Sequence, residues 1–190
     1  MANSKLIVVE GAQGCGKTTV TDFLRHSVPY TNLYRLCGTA DKSPSGLEKS
    51  IKMYDNLMIY LKSLENTSIN LVFDRTFFTE ENYCRLGYKE YSFTEEYNKL
   101  LDEFSKLDFD IYYITLYLKD TSLFEQRLNR EGKANISYAK FDKSKSIQQQ
   151  ETYLKMAKEI KEKYKNINVI NICTDDDFEN VKKDIISAIS

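Results

Sequence analysis

Gly11-Ala12-Gln13-Gly14-Cys15-Gly16-Lys17-Thr18 gathers into eight residues three of the seven glycines of a 190-residue chain, together with a lysine and a threonine hydroxyl. Glycine, four residues, then Gly-Lys-Thr is the spacing of a P-loop. Consecutive backbone N–H groups surround a phosphate only where the chain bends through conformations open to glycine. The first turn of a following helix adds unpaired donors and the positive end of its dipole. Gly11, Gly14, Cys15, Gly16, Lys17, Thr18 and Thr19 are therefore the predicted contacts of a nucleotide such as ATP. Lys17 supplies a charge to the transferring phosphoryl group, and the Thr18 hydroxyl supplies a hard oxygen for Mg2+. Cys15 reads as a small spacer in the turn.

A second pair, Asp74-Arg75, closes the apolar run Ile69 to Phe73. In a parallel sheet the C-terminal strand ends face the ligand crevice. There Asp74 can hold magnesium or take a proton from an acceptor hydroxyl, and Arg75 can grip an acceptor phosphate or carboxylate with two hydrogen bonds. The competing reading makes Asp74 a helix cap and Arg75 a surface charge. Phosphoryl transfer is chiefly positioning and charge neutralisation, and Ala12, Gln13 and Cys15 leave the P-loop without an arginine. Arg127, Arg130 and Lys133 are the cations available from elsewhere, so Lys17, Asp74, Arg127 and Arg130 are the predicted catalytic residues. The alternative for the basic segment is a solvated helix face paired with Glu125 and Glu131.

The elements that must carry these residues follow from periodicity. Leu6-Ile7-Val8-Val9 is a short β-branched run, as in a strand buried on both faces. Val20, Phe23, Leu24 and Val28 then share a helical face that Pro29 stops. Thr31 to Cys37 is a second strand, followed by the turn-rich loop Gly38 to Gly46 and a long amphipathic helix carrying Leu47, Ile51, Tyr54, Met58, Leu61 and Leu64. Further helices are expected over Phe77 to Leu86, over Phe93 to Leu107, and after Asp120, which is read as a cap. Ile111 to Leu118 forms a central strand. Glu131 to Ser146 is polar and basic without a period and is expected to be a mobile loop. A helix through Ile147, Leu154, Ala157, Ile160 and Tyr164, a strand Ile167 to Cys173 and a closing helix from Phe178 to Ile189 complete an α/β chain with a mostly parallel sheet.

Glu10-Gly11-Ala12-Gln13-Gly14-Cys15-Gly16-Lys17-Thr18-Thr19, the Asp74-Arg75-Thr76 turn with Tyr83 after it, and Arg127 and Arg130 before a basic loop resemble the thymidylate kinases and related deoxynucleoside kinases. The resemblance covers nearly the whole chain in element order, although only the P-loop is stringent. It implies a three-layer P-loop kinase fold, a five-stranded parallel sheet flanked by helices, with a flexible lid from about Arg127 to Lys145. It also implies ATP and magnesium as cofactors, Arg75 on the acceptor phosphate, Asp74 near magnesium and acceptor, and often a homodimer. Arg35 resembles the arginine that such kinases place on the acceptor phosphate. Phe77, Phe78, Tyr83, Tyr88, Tyr91 and Tyr153 are candidates to stack on a base, with Phe77 and Tyr83 chosen as substrate contacts. Two departures bear on the acceptor. Leu36-Cys37-Gly38-Thr39 stands where the family usually has Glu-Pro-Gly-Gly-Thr, and nucleoside kinases commonly keep an acid there to deprotonate a sugar hydroxyl. Its absence favours a monophosphate, with Asp41 or Asp74 as replacement bases if the acceptor is a hydroxyl. Gln13 replaces an acid that approaches the sugar.

Composition bounds the remaining choices. At 42% hydrophobic and 29% charged residues, the chain has the make-up of one folded domain. Its 27 Lys and Arg balance 28 Asp and Glu for a net charge of -1, which disfavours a nucleic-acid coat, since that affinity comes from cations. Four cysteines without a Cys-x-x-Cys pair and a single histidine argue against a disulfide scaffold and a zinc centre. The short Leu6 to Val9 run is no membrane span or signal segment, and a cytoplasmic location is expected. The leading expectation is a kinase of deoxynucleoside monophosphates with a small-molecule acceptor. Its rivals are a kinase of an unphosphorylated hydroxyl, either a deoxynucleoside or a hydroxymethyl-pyrimidine, possibly in DNA, and a nucleotide-binding regulator without turnover. A DNA strand would need the basic groove of Arg127, Arg130, Lys133, Lys140, Lys143 and Lys145.

Overall fold

Leu6 to Val9 lie at the centre of the molecule, and all four side chains are completely buried. Their strand, β1 (Lys5–Gly11), shows why: alternate residues serve two cores. Leu6 and Val8 join one apolar cluster and Ile7 and Val9 the other. Each such side chain contributes about 1.5–3 kcal/mol relative to exposure, so the central strand anchors the fold whose last residues bend into the P-loop.

The computed structural model describes residues 4–129 and 142–190. In chain order the elements are β1, α1 (Lys17–Ser27), β2 (Thr31–Arg35), α2 (Ser45–Ser63), β3 (Asn70–Asp74), α3 (Phe77–Arg85), α4 (Thr94–Phe104), β4 (Asp110–Tyr117), α5 (Leu123–Leu128), α6 (Lys143–Lys163), β5 (Ile167–Cys173) and α7 (Phe178–Ile189). The five strands form one sheet in the order β2-β3-β1-β4-β5, with every neighbouring pair parallel. Side chains of α1, α5 and α7 pack on one face with Ile7 and Val9. Those of α2, α3, α4 and α6 pack on the other with Leu6 and Val8. This is the expected α/β architecture, a five-stranded parallel sheet between helical layers.

Register brings the chemistry to one edge. Val9 pairs with Asp74, and Asp74 with Arg35, so the C-terminal ends of β1, β3 and β2 lie side by side. Among the described residues, no helix is long and apolar enough to cross a membrane.

Local departures from the expected elements have local causes. The second strand ends at Arg35, and after the Leu36 N–H has bonded to the Asp74 carbonyl the chain turns away through Gly38, at a φ of 76°. The mobile loop expected to Ser146 is already helical from Lys143, because the Asp142 carboxylate accepts the Lys145 N–H at 2.7 Å and caps α6. Asp120 does not occupy the cap position of α5, which is Ser122; its carboxylate instead accepts the Ser122 N–H and hydroxyl in the preceding turn. Arg130, Lys133, Lys140 and the part of the expected lid that contains them lie outside the described residues.

Candidate active site

The P-loop is shaped by close approach. Gly11 has a φ of 147°, and a Cβ there would stand 2.6 Å from the Leu116 carbonyl oxygen of β4 and from the Cys15 sulfur. Gly14 and Gly16 also take positive φ. Gly16 leads into α1 without a side-chain cap, so the first N–H groups of that helix are left for an anion. Cys15 is fully buried beneath the turn, and burial raises its thiol pKa, consistent with a spacer.

Lys17 is buried and its ammonium donates to the carbonyls of Gly11 at 2.7 Å and Ala12 at 2.8 Å. Burial holds its pKa below the ordinary lysine value. Thr18 and Thr19 are exposed at the loop's rim. The Thr18 hydroxyl donates to Asp74 Oδ2 at 3.2 Å, so the two predicted magnesium ligands converge. Arg35 Nε lies 3.5 Å from the same oxygen, while its Nη2 donates to Asp22 at 2.8 Å. Asp74 is therefore neither remote nor a helix cap: it sits at the strand end with a hydroxyl and a guanidinium beside it. No group of three or more Asp, Glu, His or Cys residues suited to a metal occurs among the described residues. Two hard oxygens suit a cation that completes its shell with phosphate and water, as Mg2+ does.

Arg75 follows in the left-handed region, at a φ of 74°, a conformation that costs a non-glycine residue about 1–3 kcal/mol. Its N–H bonds to the Val9 carbonyl, which holds the turn against β1. Burial works against the guanidinium charge, but Tyr83, Tyr153, Cys37 and Asp74 outweigh it and push the pKa up. Arg75, Lys17, Thr18 and Thr19 share the wall of one cavity of about 330 Å³ with Arg127, Asp176 and Phe178. Arg127 reaches it from α5, donating to the Thr174 carbonyl at 2.5 Å and hydroxyl at 3.3 Å. Thr174 in turn donates to the Cys15 carbonyl at 2.8 Å, tying that corner to the P-loop.

The aromatic expectations divide. Phe77 is completely buried, stacked on Phe78 at 4.3 Å between ring centroids and edge-on to Tyr54 and Phe104, so it is a core residue and cannot meet a substrate. Phe78 and Tyr153 are buried likewise, and the Tyr153 hydroxyl lies 2.9 Å from that of Thr79. Tyr83 is half-buried near Arg75, with Tyr88 edge-on at 6.0 Å. Tyr91 is held to Glu80 by its hydroxyl, at 2.5 Å. Asp41 is consumed locally: it accepts from Ser43, Ser45 and Lys49 at the start of α2, and these bonds, led by Lys49, drive its pKa far down. It is a poor base.

Glu10 received no role from the sequence. It is completely buried at the end of β1, accepting the Thr76 N–H at 2.9 Å and the Thr79 hydroxyl at 2.8 Å. Burial raises its pKa to about 7, against the opposing pull of those bonds and of Lys17 and Arg75. An acid closing an apolar strand just before the first glycine was the available signal.

No protein-family model matches the sequence, and comparison with curated proteins likewise finds no match. Solved structures do match. A thymidylate kinase from Candida albicans is similar over 100% of this chain and 92% of its own, with a TM-score of 0.71 at 14% identity. A deoxyadenosine kinase from M. mycoides, with bound dATP, is similar over 97% and 98%, with a TM-score of 0.64 at 14% identity. A thymidylate kinase from Ehrlichia chaffeensis is similar over 99% and 100%, with a TM-score of 0.64 at 16% identity. The chain thus has the fold of these thymidylate and deoxyadenosine kinases.

Proposed function

We propose that this chain is a magnesium- and ATP-dependent kinase that transfers the γ-phosphoryl group of ATP to a deoxynucleoside monophosphate. The observation that carries the reading is the shared cavity: the P-loop lysine and Arg75 face one space, with Thr18 and Asp74 in contact at its edge.

In this reading the glycine turn and the N-terminal end of α1 hold the donor phosphates. Lys17 exchanges its two loop carbonyls for phosphate oxygens, a trade that favours its charged form. Thr18 and Asp74 hold Mg2+, which when bound neutralises developing charge on the phosphates. Arg75, assisted by Arg35, orients the acceptor phosphate so that one of its oxygens attacks the γ-phosphorus while the bond to the β-phosphate oxygen breaks and ADP leaves. Arg127 lies where it can contact the donor. Arg130 is proposed as a further cation on the basis of sequence alone.

An acceptor that is already ionised needs no strong base. Asp41 is spent on its turn, both Glu10 oxygens accept hydrogen bonds, and Leu36 stands where an acid would follow β2. Asp74 is left as the one carboxylate of the predicted set able to serve a hydroxyl acceptor. The likeness to a deoxyadenosine kinase gives that second reading its support.

The test is ADP release from ATP and magnesium against a panel of deoxynucleosides, their monophosphates and DNA. Turnover with monophosphates is expected; turnover with deoxynucleosides alone would transfer the role of base to Asp74 and overturn the first choice. Tight ATP binding without ADP release for any acceptor would make the chain a nucleotide-binding regulator.

A further inference from the structure

Two charges that the proposed reaction leaves unused are buried together. Glu80 on α3 is completely buried, the Lys89 side chain is 3% exposed, and Lys89 Nζ lies 2.9 Å from Glu80 Oε1. Taking both ions out of water costs more than packing apolar side chains of the same size, so the pair is a poor device for stability alone. Its partners show what it holds.

The Lys89 ammonium has three protons and three acceptors: Glu80 Oε1, the Thr39 carbonyl at 2.7 Å and the Asp41 carbonyl at 3.2 Å. Both carbonyls belong to the loop between β2 and α2. The Glu90 N–H adds a bond to the Lys42 carbonyl of that loop at 2.8 Å. Glu80 Oε1 also accepts the Tyr91 hydroxyl, whereas Oε2 has no hydrogen-bond partner among the described residues. That free oxygen is turned to Gly38. A Cβ on Gly38 would stand 2.5 Å from it, and the φ of 76° already disfavours any side chain there. The loop from Gly38 to Asp41 is thus wrapped around the ion pair.

The two segments joined in this way start beside the two arginines assigned to the acceptor phosphate. Arg35 ends β2 and leads into the loop, and Arg75 leads through Thr76 into α3. We propose that Lys89 and Glu80 are positioning residues for the acceptor site: they clamp the β2–α2 loop to α3, fixing the wall beyond Arg35 and Arg75 against which the acceptor is held. The inference rests on the kinase reading and deepens it on the acceptor side. Neither residue touches substrate in this role. The ion pair sets where the loop lies, and the loop sets how the acceptor is oriented.

The experiment compares the wild type with Glu80→Met/Lys89→Met, which leaves neither ion buried alone, and with Gly38→Ala, which presses the loop off Glu80 from its own side. Urea unfolding establishes that each variant is folded. The readouts are the KM for dTMP, or for whichever deoxynucleoside or monophosphate the wild type turns over best, and the dissociation constant of a non-hydrolysable ATP analogue. Acceptor KM is expected to rise at least about tenfold in both variants, since a misplacement of about 1 Å caused far from the chemistry can cost about a hundredfold. Analogue binding uses the P-loop after β1 and should change by less than about twofold. A folded double variant with the wild-type acceptor KM would overturn the proposal whatever Gly38→Ala does. Equal losses for acceptor and analogue, the mark of a merely structural pair, would overturn it as well. Where the double variant does not fold, Gly38→Ala decides alone by the same two readouts. A wild type that turns over no acceptor would overturn the kinase reading itself, and the proposal with it.

Discussion

Glu10→Gln should change the pH dependence of stability in a calculable way. The wild-type carboxyl titrates at about 7 in place of 4.5, chiefly because burial penalises the carboxylate. Between about pH 4.5 and about pH 7 the folded chain keeps a proton that the unfolded chain has released, so stability falls as pH rises. The contribution is complete below about pH 4.5 and is lost as pH rises through about 7. At about 1.4 kcal/mol per pH unit, the full interval is worth about 3 kcal/mol. Glutamine has the same shape, can still accept the Thr76 N–H and can direct its amide nitrogen at the Thr79 hydroxyl, but it does not titrate. Urea unfolding of both proteins, followed by circular dichroism from pH 4.5 to 7.5, isolates this group because the other titrations are common to both. Relative to the variant, the wild type should lose about 3 kcal/mol across the series. Two curves that stay parallel within about 0.5 kcal/mol, a typical error of such differences, would refute the raised pKa and the burial argument behind it.

Other substitutions test the assignments around it. Lys17→Ala should lower turnover by at least about a hundredfold, the scale of a lost electrostatic contact to the transferring group, and steady-state ADP release reads it. Arg75→Ala should raise the acceptor KM at least about tenfold while ATP affinity changes by less than about threefold, since a charge-assisted bond to the acceptor phosphate is worth about 1.5–3 kcal/mol. Equal losses for the two substrates would remove Arg75 from the acceptor. Phe77→Ala should cost about 3–5 kcal/mol in urea unfolding, the range for an emptied aromatic site, and at temperatures where the variant is folded its acceptor KM should match the wild type.

How far the sequence reveals this molecule depends on the range of the interactions involved. The β1 strand and the P-loop are legible because the evidence is contiguous: an unbroken apolar run, glycines at fixed spacing, then a helical period. Asp74 and Arg75 are legible because they end a strand, and parallel strands end at the crevice. Phe77 misleads because it follows Arg75 so closely; its burial depends on how α3 is rotated, which Tyr54, Tyr97, Phe104 and Tyr113 decide from distant parts of the chain. Gln149 looks like a solvated helix residue until its partner Gln13, 136 positions away, is brought against it. Asp41 shows the opposite case. Asp-Lys-Ser is a turn signature that already accounts for its carboxylate, and reading it as a spare base overlooks local chemistry.

In the proposed reaction one cavity brings the γ-phosphate of ATP to a nucleotide acceptor. The most direct measurement follows the γ-phosphorus label of ATP, with magnesium, into the products formed with dTMP, with thymidine and with no acceptor. Label is expected in the diphosphate from dTMP, dependent on Lys17. Label found only in inorganic phosphate, or only in the monophosphate made from thymidine, would contradict it.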